Sequence, residues 1–328
     1  CIRDSLESEA ISLVGGRWIL NGGLVGSPRL SDLIAVRLGS LSYDEQEVVH
    51  LLAIGEPIGL AELERLGGEA PVERLIRRGI VEVESDRARQ PVRLAHPLFG
   101  ESVREDLPPQ ARRRSSRRLS NALIERGLKR PRDTLVAATL RLEGGGKADA
   151  DLLMRAAKEA ASVYDGRSTE RLAVAALEVG GGRKAELIRC RGLELQGRVA
   201  EAHQELVRLF AQASSPEDVF YTGATLAHLH AVSGHRLDLA DRDVYDEMRR
   251  RLPASFASKV DAHQAETLVW AGEVSRAGTL AENALNEGVA DPVAEGAAYM
   301  SACLASAHSN DPSFALTRAH EGAARAAD

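Results

Sequence analysis

Leu195-Gln196-Gly197-Arg198-Val199-Ala200-Glu201-Ala202 is matched further along the chain by Trp270-Ala271-Gly272-Glu273-Val274-Ser275-Arg276-Ala277. Each copy places a large apolar residue before a glycine and a small residue at the start of the next segment. Glycine tolerates the left-handed backbone of a tight turn, and alanine lets two helices approach closely. Both copies therefore read as the corner of a helical hairpin. A degenerate copy lies at Val232-Ser233-Gly234-His235, so the glycines at 197, 234 and 272 fall 37 and 38 residues apart. Tyr164-Asp165-Gly166-Arg167 is an earlier echo and Ser309-Asn310-Asp311 a later one.

A hairpin of this kind cannot bury its apolar face alone, so successive hairpins should stack into a solenoid. A large residue, a turn glycine and a small residue form the tetratricopeptide pattern, whose usual period is about 34 residues. The longer spacing here predicts a divergent version. Composition agrees: of 328 residues, 44% are hydrophobic, 27% charged and 4% aromatic. Alanine and leucine suit helix-on-helix packing better than sheet cores, which favour aromatic and β-branched residues. From Pro109 onward only helices are expected, with Gly144–Gly146 and Gly180–Gly182 as helix ends or short loops.

Ahead of the repeats the pattern differs. Ile11, Leu13, Trp18 and Leu20 alternate around Gly15-Gly16, which predicts a hairpin. Residues 22–28 read as a linker, and 30–38 as a helix with Leu33, Ile34 and Leu38 on one face. Ser42 and Glu45 form a capping box with Leu41 as its staple, opening a helix that buries Val48, Val49 and Leu52. Residues 60–66 are a second helix, and a third runs from Pro71 to a stop at Gly79. Two strands, Ile80–Val83 and Val92–Leu94, then flank a polar turn at 85–90. Three helices before a two-stranded ribbon is a winged-helix pattern. The expected fold is mainly α, a winged-helix-like domain followed by a tetratricopeptide-like α-solenoid. Its divisions are 1–40 (a C-terminal remnant of a preceding module, with hairpin and linker helix), 41–108 (winged-helix-like) and 109–328 (helical repeats).

Two blocks of residues carry a family resemblance. One is Gly16-Arg17-Trp18-Ile19-Leu20 with Ser27-Pro28-Arg29-Leu30 and Arg37-Leu38 before Leu41-Ser42. The other is Ala95-His96-Pro97-Leu98-Phe99 with Leu107-Pro108-Pro109, Arg112-Arg113-Arg114 and Arg117-Arg118-Leu119. Together they resemble the central region of the large LuxR-type transcriptional regulators of the STAND class of P-loop ATPases, over roughly the first 125 residues. That resemblance implies a nucleotide-binding domain before this region and a DNA-binding helix-turn-helix after it. ATP or ADP is then expected as cofactor of the full-length protein, with none held by this stretch itself. No G-x-x-x-x-G-K-[ST] motif occurs in the chain, since Gly144-Gly145-Gly146-Lys147-Ala148 lacks the spacing and the hydroxyl. No LuxR-type helix-turn-helix occurs either. Starting at Cys1, the chain is expected to be a piece of a longer protein; this stretch is expected not to be an enzyme, any ATPase activity belonging to the full-length protein.

In such relatives a histidine after the winged helix contacts the β-phosphate of ADP, which puts the nucleotide-sensing role on His96. The competing reading of His96 is a helix cap. Pro97 stands where relatives often carry aspartate. Residues 104–132 hold ten Arg and Lys against three acids, and Arg112, Arg113, Arg114, Arg117 and Arg118 form a candidate domain-docking patch. A solvated helix surface is the plainer reading. Tyr221, His228, Tyr245 and Tyr299 are candidates to line a ligand or partner groove, whereas Trp270 is expected in the core. His228 and His230, two apart on a helix, cannot easily share a metal ion, and no metal site is assigned. No nucleophile elbow or catalytic constellation stands out.

A net charge of −6 argues against a general nucleic-acid binder. No apolar run reaches membrane-spanning length. Three scattered cysteines and no leader fit a reducing, cytoplasmic setting. The expected partners are the protein's own nucleotide-binding and helix-turn-helix domains and an inducer or protein partner, with DNA reached through the C-terminal domain and no membrane. Two alternatives stay open: a free-standing helical-repeat scaffold, and a winged-helix DNA-binding protein.

Overall fold

The turn glycines set the architecture of the repeats. In the computed structural model, which describes residues 11–14, 17–20, 28–84, 90–234, 236–289, 291–309 and 311–327, Gly197 and Gly272 take φ of +75° and +87° with open space where a Cβ would sit. Backbone conformation, not crowding, demands glycine at both corners. Gly197→Ala and Gly272→Ala should each lower the stability of their hairpin by about 1 kcal/mol, read from denaturant unfolding of the full chain.

The chain divides into two compact units, 1–148 and 149–328. In the first, β1 (Ile11–Val14) pairs antiparallel with β2 (Arg17–Leu20), Leu13 opposite Trp18. The expected turn at Gly15-Gly16 and the linker before Pro28 lie outside the described residues. Next come α1 (Pro28–Gly39), α2 (Tyr43–Gly55), β3 (Ile58–Gly59), α3 (Leu60–Gly67), α4 (Glu69–Arg77), β4 (Val81–Val83) and β5 (Pro91–Leu94). The three strands form one antiparallel sheet in the order β3-β5-β4. Helices α2, α3 and α4 thus precede the β4-β5 ribbon, in the order expected from sequence. The two-residue β3 is an addition to that ribbon; it pairs Ile58 with Val92. The polar turn between β4 and β5 lies mostly outside the described residues.

Local chemistry explains these boundaries. The capping box at Ser42 is complete: the Ser42 N–H donates to Glu45 Oε2 at 2.8 Å and the Glu45 N–H to Ser42 Oγ at 3.4 Å. Behind it Val48, Leu51 and Leu52 are fully buried with Leu63, Leu75, Ile80 and Val92 in one core.

Then α5 (Pro97–Asp106), α6 (Pro109–Glu125) and α7 (Asp133–Glu143) follow. Leu119 of α6 and Leu140 of α7 join the core of α2. The division between the units accordingly falls at 148/149, so α6 and α7, placed with the repeats on sequence pattern, belong to the first unit. Helical period alone does not reveal which core a helix serves.

The second unit is a run of hairpins: α8 (Ala150–Ser162) with α9 (Gly166–Glu178), α10 (Gly182–Leu195) with α11 (Val199–Gln212), α15 (Ala257–Trp270) with α16 (Val274–Glu287), and α17 (Pro292–His308) with α18 (Pro312–Ala327). The middle hairpin is irregular. Its first helix α12 (Pro216–His228) runs into a π-helical turn at Leu229–Ser233; α13 (Leu237–Leu239), a second π-helical turn (Ala240–Tyr245) and α14 (Asp246–Arg251) complete it. First helices start at 150, 182, 216, 257 and 292, so successive hairpins are 32, 34, 41 and 35 residues long. The long apparent period is thus owed to one hairpin. A π turn inserts residues into a helix, and Gly234 there has φ −91° instead of the left-handed value. Fully buried Ala202, Ala265, Ala277, Ala281, Ala298 and Leu206 fill the seams between helices.

Candidate functional site

The first helices of consecutive hairpins face one groove of about 530 Å³ within the second unit. Each of three helices supplies residues at i, i+4 and i+7, one helical face. These are Leu187, Arg191 and Glu194 from α10; Tyr221, Thr225 and His228 from α12; and Lys259, His263 and Glu266 from α15. Asp291, Val293, Ala294 and Ala297 at the start of α17 close one side, and Ile188, Phe220 and Ala224 extend the apolar floor.

Lys259 organises one side of the groove. Its Nζ lies 2.7 Å from Asp291 Oδ2. It also sits 4.5 Å and 4.8 Å from the ring centres of Phe220 and Tyr221, close enough for cation–π attraction. Burial works against the ammonium charge, but the Asp291 carboxylate outweighs it and the pKa of Lys259 is raised. Asp291 also caps α17, accepting from the N–H groups of Val293 and Ala294 at 3.0 Å.

The two groove histidines behave differently from solvent-exposed ones. His263 Nδ1 lies 2.8 Å from the hydroxyl of Tyr245, which is itself 2.7 Å from Thr267 Oγ1. Burial, with His228 adding a smaller effect, pushes the pKa of His263 down to about 4. His228 is lowered too, by burial first, although Glu194 and Glu266 pull the other way. Both imidazoles are therefore neutral at neutral pH. The Thr267 hydroxyl donates to the His263 carbonyl at 3.0 Å, so the Tyr245 hydroxyl donates to Thr267 and accepts from His263 Nδ1–H, which leaves the His263 Nε2 as an acceptor. Arg191 donates to Glu194 at 2.6 Å, and Glu194 also accepts from the Ser233 hydroxyl.

The groove contains Tyr221 and His228 as expected from sequence. Tyr245 does not line it: the ring is fully buried behind the groove wall and acts by holding His263. Tyr299 does not line it either; it packs against Gly322 of α18, where an added Cβ would come within 2.9 Å of Tyr299 Cβ. Trp270, expected in the core, is 60% exposed, while Leu268 beside it is fully buried. The repeat-equivalent of Leu268 is Leu193, which is also buried. Position −4 from the turn glycine, not −2, therefore faces the seam. His230 turns away from His228 and stacks edge-on with His203 at 4.9 Å; His235 lies outside the described residues. Among the described residues no three His, Cys, Asp or Glu are grouped to hold a metal ion, and no helix is long and apolar enough to cross a membrane.

Arg191, Glu194, Lys259, His263 and Glu266 were not singled out from sequence. A signal existed. Ile188 and Arg191 stand nine and six residues before Gly197, and His263 and Glu266 stand nine and six before Gly272. Aligning the two copies by their turn glycines puts all four on the groove face.

In the first unit, His96 caps α5. Its Nδ1 accepts from the Leu98 N–H at 3.2 Å, and its ring is exposed. An accepting Nδ1 puts the proton of the neutral ring on Nε2, which leaves an outward donor. The helix-cap and phosphate-contact readings of His96 are thus compatible.

The basic patch is largely consumed inside its own unit. Arg114 and Arg118 grip the two oxygens of Glu47 at 2.5 and 3.0 Å. Arg118 also donates to the Leu66 carbonyl. Arg112 donates to the Arg104 carbonyl at 2.6 Å and Arg117 to that of Gly144 at 3.2 Å. Arg113 makes no such contact and is exposed. These contacts tie α6 to its neighbours, while Arg113, Arg114 and Arg117 remain exposed. Similarly, on α4 and just after it, Arg74 and Arg78 each lie 3.1 Å from buried Glu45. Arginines spent on an internal carboxylate are not available to phosphates.

No protein-family model matches the chain, and no curated protein matches it. Among solved structures, the chain is similar to the crystal structure of a Signal Transduction ATPase with Numerous Domains (STAND) protein with a tetratricopeptide repeat sensor from Pyrococcus horikoshii. The TM-score is 0.50 at 16% identity, over 94% of this chain and 48% of that one. This chain therefore spans about half the length of its neighbour. At that identity the likeness establishes the fold: a mainly α chain ending in tetratricopeptide-like repeats.

Proposed function

We propose that this chain is the regulatory and sensor region of a LuxR-type transcriptional regulator of the STAND class. An inducer or protein partner binds in the inner groove of the repeats. Binding biases a nucleotide switch whose P-loop domain lies outside this chain, and DNA is bound by a helix-turn-helix that also lies outside it. The chain itself works by binding and conformational coupling, not by catalysis. Such coupling requires two states with different affinity for the ligand.

The observation that carries the reading is the groove, in which neutral histidines, paired charges and an apolar floor converge from four helices. Its volume falls in the range of small-molecule sites, about 300–1,000 Å³. The neighbour's tetratricopeptide repeats are described as a sensor in a STAND ATPase, and the Ala95–Phe99 and Leu107–Leu119 motifs point to the same class. His96 suits the nucleotide side: its capping geometry leaves Nε2–H as an exposed donor of the kind a phosphate oxygen accepts. The engagement of Arg74 and Arg78 by Glu45 weighs against the winged-helix DNA-binding alternative.

The test is nucleotide retention by the product of the whole gene. Purified protein should release ADP on acid denaturation, and His96→Ala should lose it at least tenfold faster on dilution. A product that carries no nucleotide and binds none would overturn the reading.

A further inference from the structure

The charges of the groove do not balance. Arg191 is spent on Glu194, and Glu194 is further satisfied by Ser233. Lys259 is spent on Asp291 and on the faces of Phe220 and Tyr221. Glu266, half-buried on the same face of α15 as Lys259 and His263, has no hydrogen bond or ion pair among the described residues. Neither ring nitrogen of His228 has a partner among them, and the Nδ1 of His263 is taken by Tyr245, which leaves Nε2. One uncompensated carboxylate thus shares the groove with two imidazoles, over a floor of Leu187, Ile188, Ala224 and Ala297.

We infer that the groove takes a small amphiphilic ligand carrying a protonated primary amine. Its ammonium is held by Glu266 with His228 and His263 as flanking acceptors, and its apolar body lies along the floor. The inference rests on the sensor reading above and names the class of ligand for that site. An ammonium has three donors and no acceptor, which matches one carboxylate and two neutral imidazoles. A carboxylate ligand would meet Glu266 and Glu194 with no free cation to receive it. A purely apolar ligand would cover Glu266 and leave its charge desolvated and unpaired, which is costly. Both low-pKa histidines support the choice, since imidazolium would repel the ammonium.

The experiment uses the full chain and three probes of one shape: phenylbutylamine, phenylbutanol and phenylbutyrate, titrated by calorimetry at pH 7.5 and low salt. The amine should bind at least tenfold tighter than the alcohol, and the acid weakest. Glu266→Gln should bring the amine within about threefold of the alcohol while leaving the alcohol unchanged. Glu266 carries no internal contact that folding needs, so the variant should unfold at the wild-type temperature. Equal binding of amine and alcohol, or an amine affinity untouched by Glu266→Gln, overturns the inference. Tightest binding of the acid, lost in groove variants such as Tyr221→Ala, overturns the amine class and leaves the sensor reading standing. No binding of any probe also overturns the amine inference, and nucleotide retention then decides the sensor reading by itself.

Discussion

Glu45→Ala destabilises the first unit by about 3 kcal/mol. The carboxylate is 4% exposed. It closes the capping box of α2 through Ser42 and holds Arg74 and Arg78 at 3.1 Å each. Losing the cap costs about 1 kcal/mol. Breaking a buried pair costs about 3–5 kcal/mol when the remaining charge stays buried. Arg74 and Arg78 are 41% and 35% exposed and can turn to water, which discounts the second figure. Hydrogen exchange of the α2 amides, compared between Glu45→Ala and wild type, reads the loss where it occurs.

The same residue gives a pH signature. Burial alone would raise the pKa of Glu45, but the Ser42 backbone and side chain, Arg74 and Arg78 outweigh it and hold the value below the ordinary 4.5. A group whose folded-state pKa is depressed contributes stability that is whole above its unfolded pKa and drains as pH falls through the folded one. The difference between wild type and Glu45→Gln should therefore be full at pH 7 and shrink progressively below about pH 4.5. A difference that stays constant into acid would show that packing, not charge, makes Glu45 important.

Gly192→Ala and Gly296→Ala should move stability in opposite directions although both lie within helices. A Cβ at Gly192 would sit 2.6 Å from the Glu170 backbone nitrogen and 2.9 Å from its Cα. Backbone of α9 and α10 is in direct contact there, and neither atom can rotate away. Forcing the helices apart costs about 1–3 kcal/mol, more than the gain of up to about 1 kcal/mol that alanine brings to a helix interior. At Gly296, in α17, nothing lies within 4 Å of the added methyl and φ is not positive. Only the gain remains, so Gly296→Ala stabilises. Thermal unfolding of the two variants beside wild type checks both signs at once.

Features governed by near neighbours were legible in the sequence. The Ser42–Glu45 box, the helix it opens, the strands around 81–94 and the turn glycines at 197 and 272 all depend on contacts within a few residues. What escaped depends on distant ones. α6 and α7 look like any repeat helix, yet Leu119 and Leu140 serve the core of α2. Tyr245 and Trp270 illustrate the limit at the site. An aromatic near a helix end can face groove, core or solvent, and the choice turns on which helices are inner and on the π-helical turns that rotate the middle hairpin. Tyr221 and His228, named as groove candidates together with Tyr245 and Tyr299, prove to share one helical face seven residues apart. Lys259, His263 and Glu266 share a face at the same spacing, but charged and polar residues there look like an ordinary solvated surface until the neighbouring first helices are set beside them.

Reading the gene on both sides of this segment tests the central claim most directly. The expected result is a Walker motif encoded upstream of Cys1 and a LuxR-type helix-turn-helix encoded downstream of Asp328. A start codon just before Cys1 and a stop just after Asp328 would contradict it, and would make the repeats a free-standing scaffold.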